Sequence, residues 1–168
     1  MPTPLTLALA AHFDSVFAGP NGDYPAVLEA LEGVSAGQAL WKPTAGVNSI
    51  WQIVDHLTAS KDWQIEILKK GHAPSPTWTQ PEGGESAWQA SLAWLKDAHA
   101  RLKEALLRLG GRRLYSHPEP GWNMTQLELL LSIAAHEAFH AGQIDYLKGL
   151  QEVVSARPAR ERDEADRP

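Results

Sequence analysis

The sequence predicts one all-α domain built as a four-helix bundle, and three observations carry that expectation. Apolar residues recur at spacings of three and four along four long segments. Each long segment opens on residues that cap helices. Val and Ile are scattered at helical spacing and never alternate over four or more positions, so no strand is visible. A chain of 168 residues, 43% apolar and 21% charged, fits a single domain with a sizeable core.

The first helix opens at Thr3 with Pro4 at its first helical position, where proline's missing N–H costs nothing, and runs to about Ala18. Gly19-Pro20-Asn21-Gly22 stops it. Asp23 and Pro25 start a shorter helix through about Leu31, ended by Gly33, and a loop follows over Leu40 to Gly46. Ser49 with Gln52 forms a capping box, opening a second main helix that continues to Lys70 and stops at Gly71. The Pro-, Gly-, Ser- and Thr-rich stretch Ala73 to Gly84 reads as a surface loop. Ser86 with Gln89 predicts the start of a third helix, which ends at Leu109 before Gly110-Gly111. After a Pro118–Gly121 turn, Thr125 with Glu128 caps a fourth helix to about Gln151, tolerating Gly142 and Gly149 at roughly 1 kcal/mol each. The domain is expected over residues 1–153, with a charged, mobile tail over 154–168.

Composition narrows the function. The net charge of −5 and the absence of a Lys/Arg cluster argue against a nucleic-acid or membrane-surface partner. There is no cysteine, which excludes disulfides, thiolate metal sites and a cysteine nucleophile, so any metal is held by nitrogen and oxygen. Met1-Pro2-Thr3-Pro4 lacks the basic-then-apolar pattern of a signal peptide, and no apolar run nears the roughly 20 residues that span a bilayer. A cytoplasmic location is therefore expected. Of the seven tryptophans, Trp51, Trp63, Trp88 and Trp94 fall in helical patterns and Trp41, Trp78 and Trp122 in connections. Core and lid packing is their expected role, with one or two lining an apolar substrate pocket as the alternative.

The chemistry lies in the histidines. In the fourth helix Leu129, Ile133, His136, His140, Ile144 and Leu147 make one stripe, so the two imidazoles point the same way one turn apart. In the second main helix Ile50, Ile53, Leu57 and Ser60 face inward with His56 at their edge. Burying three unpaired imidazoles costs several kcal/mol, which a divalent cation bound to their neutral nitrogens relieves. On spacing alone, a metal site and individually satisfied core histidines both remain open. His12, His72, His99 and His117 show no such pairing and read as surface residues. Gln143, one turn beyond His140, faces a bound ligand or is satisfied by backbone. Asp55 and Glu137 read as helix-surface carboxylates, with imidazole orientation as their alternative.

His136-Glu137-Ala138-Phe139-His140 also matches the H-E-x-x-H pattern of zinc peptidases, in which the glutamate is a general base. The extended form of that motif needs glycine and histidine where this chain has Gln143 and Tyr146. Glu137 also lies roughly 100° around the helix from His136, and no strand is visible to hold a peptide. The peptidase is the weaker alternative.

The stretches Leu40-Trp41-Lys42-Pro43 and Asn48 to Leu57 resemble the second-helix motif of the DinB/YfiT-like superfamily, and His136 to Ile144 resembles its last-helix motif. The order of one histidine, then two four apart, is similar too. The resemblance covers about Leu5 to Gln151. It implies a four-helix bundle with a long crossover, commonly dimeric, in which His56, His136 and His140 hold one divalent ion. Zinc leads that expectation, with nickel, iron or manganese also in view. Spare Trp and Leu surface on the third helix is compatible with a homodimer. Relatives of this kind include thiol transferases that use low-molecular-weight thiols. Three protein ligands leave an open position for a thiol or a water, so a metal-dependent thiol S-transferase or hydrolase acting on a small electrophilic substrate is expected. The alternative is a non-catalytic, stress-associated metal-binding protein.

Overall fold

The computed structural model describes residues 2–20, 22–119 and 121–156. Met1, Asn21, Pro120 and residues 157–168, hence most of the expected tail, lie outside the described residues. The elements are α1 (Pro4–Ala18), α2 (Val27–Ala30), α3 (Ala36–Leu40), α4 (Ile50–Lys70), α5 (Glu85–Arg108), α6 (Gly111–Leu114) and α7 (Gln126–Ala156). No strand occurs among the described residues, and the fold is all-helical. The long helices pack in a ring, α1 on α5, α5 on α4, α4 on α7 and α7 on α1, while α2 lies on α1 and α7 and α3 on α4 and α5.

Local chemistry explains most boundaries. Ser49 Oγ accepts from the Gln52 N–H at 3.2 Å while Gln52 Oε1 accepts from the Ser49 N–H at 3.0 Å, the box that starts α4. Gly71 ends α4 in the left-handed region at φ 86°, its N–H donating to the Ile67 carbonyl at 2.9 Å. Thr125 and Glu128 make the reciprocal bonds that open α7.

Several boundaries differ from expectation, among them a short α6 at Gly111–Leu114 where only a connection was expected. The Ser86–Gln89 box does not form: α5 starts at Glu85, whose carboxylate accepts from the Ala36 N–H at 2.9 Å and from Gln89 Nε2 at 2.8 Å. One side chain thus serves the first turns of both α3 and α5, where negative charge is favoured. The short helix expected from Asp23 narrows to Val27–Ala30, because Ala26 is extended and its N–H is held by Glu29 Oε2 at 2.8 Å. A Ser35–Gln38 box creates α3, which the sequence reading left out. α7 continues to Ala156, so residues 154–156 are helix rather than tail.

The core has two apolar clusters. One gathers Ile50, Ile53, Val54, Leu57, Trp88, Leu95, Ala141, Ile144 and Leu147. The other gathers Phe13, Ile65, Leu68, Leu102, Leu106, Leu130 and Ile133. Each fully buried aliphatic side chain contributes roughly 1.5–3 kcal/mol. Trp51 and Trp88 are buried with their N–H groups satisfied, donating to Ser91 Oγ at 2.8 Å and to the Val34 carbonyl at 2.7 Å. Among the described residues no helix is long and apolar enough to cross a membrane.

Candidate metal centre

The inward stripes of α4 and α7 do what their spacing predicts, and His56, His136 and His140 meet where the two helices cross. One ring nitrogen from each of the three lies within 4.8 Å of the other two. His136 Nε2 is 3.1 Å from His56 Nε2 and 2.9 Å from His140 Nε2. His140 is buried and the other two are half-buried.

The donor set itself argues for a cation. Gln143 Oε1 lies 2.6 Å from His140 Nδ1, so that nitrogen carries the hydrogen and His140 Nε2 presents a lone pair. A neutral His136 can satisfy only one of its two Nε2 contacts. As a donor to His140 it has no lone pair for His56; as an acceptor from His56 it faces the His140 lone pair at 2.9 Å. The His56 and His136 Nδ1 atoms are buried and have no partner among the described residues. Three Nε2 lone pairs directed at one ion at about 2.0–2.1 Å remove the conflict among the Nε2 atoms and leave the two Nδ1 groups as they are. Burial, and then His136, pull His140 down to about 4. Burial also lowers His56, aided by His136, and His136, aided by Lys61. All three rings are therefore neutral at pH 7, the form that binds metal.

Gln143 holds an imidazole, by the bond that selects the His140 tautomer. Asp55 does not orient an imidazole: it accepts from Thr79 Oγ1 at 2.8 Å, and Gln52 Nε2 donates to the Thr79 carbonyl at 2.9 Å. These bonds pin the loop between α4 and α5 so that Trp78 stacks on His56, ring centroids 4.0 Å apart at 9°. The same indole meets His140 edge-on at 6.2 Å. His136 opens onto a solvent-reaching cleft of about 310 Å³, shared with Ser60, Trp63, Ser75, Pro76, Ser132 and Ile133.

Two expectations are corrected. Glu137 is no surface carboxylate: it is 1% exposed and paired with Lys61, itself 1% exposed. His99 is not a surface residue. It is buried, stacked on Phe17 at 3.9 Å, 3.3 Å from Lys61 Nζ and 3.1 Å from Asp14 Oδ1. His12, His72 and His117 are exposed as expected. Lys61 carries no signal of the site in the sequence, and Trp78 is one of the tryptophans expected as lids or pocket walls.

Fold and site together define an all-helical protein with three converging imidazoles that could bind a metal ion. The family model of the DinB superfamily matches residues 23–144, more than half of the chain, and the protein belongs to that superfamily. No curated protein matches the chain.

Proposed function

We propose that the protein is a metal-dependent enzyme, a thiol S-transferase or hydrolase that acts on a small electrophilic substrate. The observation that carries the reading is the convergence of three Nε2 atoms beside a cleft that reaches solvent. A divalent ion held there, zinc first among zinc, nickel, iron and manganese, would supply the acidity that ionises a thiol or a water at neutral pH.

The chain's own residues do the rest. Gln143 keeps the His140 Nε2 lone pair free. Trp78 packs flat on His56 and limits water on that side. Ser60, Ser75 and Ser132 offer hydroxyls to a substrate, and Trp63, Pro76 and Ile133 an apolar wall. Apart from the imidazole of His136, no ionisable side chain lines this cleft, which suits a small uncharged electrophile and a low-molecular-weight thiol as co-substrate. Glu137 cannot serve as a peptidase base, because its carboxylate is committed to Lys61 in the core. A second reading draws on the Trp78 cover, which also suits a non-catalytic ion that staples α4 to α7. The cytoplasmic location belongs to this proposal.

We also propose a homodimer: Trp94 on the third long helix is 66% exposed, and α7 offers a longer apolar face. Leu131, Phe139, Tyr146 and Val153 are 46%, 62%, 68% and 57% exposed at spacings of seven and eight, an apolar stripe along one helix face. Light scattering behind a sizing column tests it: a monomer at tens of micromolar counts against it.

Elemental analysis beside a His56→Ala/His136→Ala variant tests the site. Stoichiometric metal that disappears in the variant supports it, and thiol-transfer and ester-hydrolysis assays with that ion then separate enzyme from staple. Failure to take up metal after reloading removes the proposed chemistry.

A further inference from the structure

The two apolar clusters are separated by a polar layer to which all four long helices contribute. On α4, Lys61 lies between Leu57 of one cluster and Ile65 of the other. On α5, His99 lies between Leu95 and Leu102; on α7, Glu137 lies between Ala141 and Ile133. On α1, Asp14 lies between Phe17 and Phe13. Lys61 Nζ bonds Glu137 Oε1 and lies 3.3 Å from His99 Nδ1, and His99 Nε2 reaches Asp14 Oδ1 at 3.1 Å. Lys103 Nζ closes the chain at the surface with Asp14 at 2.8 Å.

Such a layer is a poor way to stabilise a bundle. Removing two charges from water offsets most of their attraction, and apolar residues of like volume often pack there with no loss of stability. Glu137 Oε2 and both amide atoms of Gln64, one turn along α4, are buried without a partner among the described residues. What the layer can do, and an apolar layer cannot, is tell one helical register from the next. Leu and Ile stripes slide by one turn with apolar still facing apolar; a lysine that slides loses its carboxylate. One turn is about 5.4 Å, more than the 4.8 Å within which the three imidazole nitrogens lie. Glu137 adjoins His136, and Lys61 lies on the same helix as His56, so the pair is tied to the site at both ends.

We propose that Lys61, Glu137 and His99 set the register of α4 and α5 against α7 and thereby hold His56 opposite His136 and His140. The last clause rests on the metal reading above; the register does not.

The test uses Lys61→Met/Glu137→Leu, which replaces the pair by apolar residues. The chain has no cysteine, so Lys69→Cys and Asp145→Cys, both exposed, place nitroxides on α4 and α7 alone. Pulsed electron resonance then reads the distance between them. The expected result is a helical, cooperatively folded protein with a broadened or displaced distance distribution and cobalt(II) affinity at least tenfold below wild type. The wild-type distribution with cobalt affinity within threefold would overturn the proposal. If the apolar pair does not fold, Lys61→Gln/Glu137→Gln decides. This neutral hydrogen-bonded pair should keep the wild-type distance, and a folded protein with a displaced one overturns the proposal. Wild-type protein that takes up no cobalt would sink the metal reading and leave the distance to decide the register.

Discussion

His99 should make the metal-free protein lose stability in mild acid. Burial, reinforced by the Lys61 ammonium, pulls the ring down from 6.5 to about 4, against the opposing pull of Asp14. The folded value lies below the unfolded one, so the unfolded chain takes up the proton first. Stability is therefore complete above pH 6.5 and is lost as pH falls toward 4. Between pH 7 and pH 5 the loss from this one group is about 2 kcal/mol, from 1.36 kcal/mol per pKa unit. That is a large share of a domain's usual 5–15 kcal/mol. The assay is denaturant unfolding at pH 7, 6 and 5 with chelator present, wild type beside His99→Gln. The wild-type curve should fall more steeply with acid by about one proton's worth. A His99 ring that titrates near 6.5 by NMR, or slopes that coincide, would show that burial does not hold the ring neutral.

Lys61→Met alone should destabilise by about 3–5 kcal/mol in urea, because it leaves the Glu137 carboxylate buried and unpaired, whereas adding Glu137→Leu should restore much of that loss. Gly71→Ala should cost on the order of 1–3 kcal/mol in the same assay, since Gly71 has φ 86° and an added Cβ would meet the Pro118 carbonyl oxygen at 2.6 Å. Trp78→Ala should abolish most cobalt quenching of indole fluorescence, given the 4.0 Å stack on His56, with only a few-fold change in cobalt affinity. A variant quenched like wild type would show that another indole reports the ion.

The sequence made the site legible because histidines one turn apart share a face however the helix is packed. It placed His56, His136 and His140 together, and the Ser49–Gln52 and Thr125–Glu128 boxes gave the helix starts that aim them. The capping reading failed at Ser86, where a tertiary bond from Ala36 made Glu85 the better first residue. Spacing within a segment does not reveal a partner 49 residues away. The placing of Trp78 over His56 lay beyond reach for the same reason, since the bonds from Gln52 and to Asp55 bring its loop there.

Glu137 is the more instructive miss, because a signal for it was present. Reading α7 as one stripe through His136 and His140 put Glu137 outside the core. Yet α7 packs against α1, α2 and α4, too many neighbours for one stripe to serve. A second stripe, Gln126, Leu130, Ala134, Glu137 and Ala141, runs beside the first at the same spacing and is buried throughout. A carboxylate between two small residues on such a stripe needs a cation from across the core. Lys61 answers it, flanked by Leu57 and Ile65 on α4, and His99 repeats the pattern between Leu95 and Leu102 on α5. Each of these polar residues interrupts an apolar stripe, and an isolated interruption looks like a surface turn of the helix. Three interruptions that fall at one level of the bundle cannot all face solvent. In an all-α chain, then, polar breaks in neighbouring apolar stripes should be read together, because the packing that buries one of them has to bury its partner.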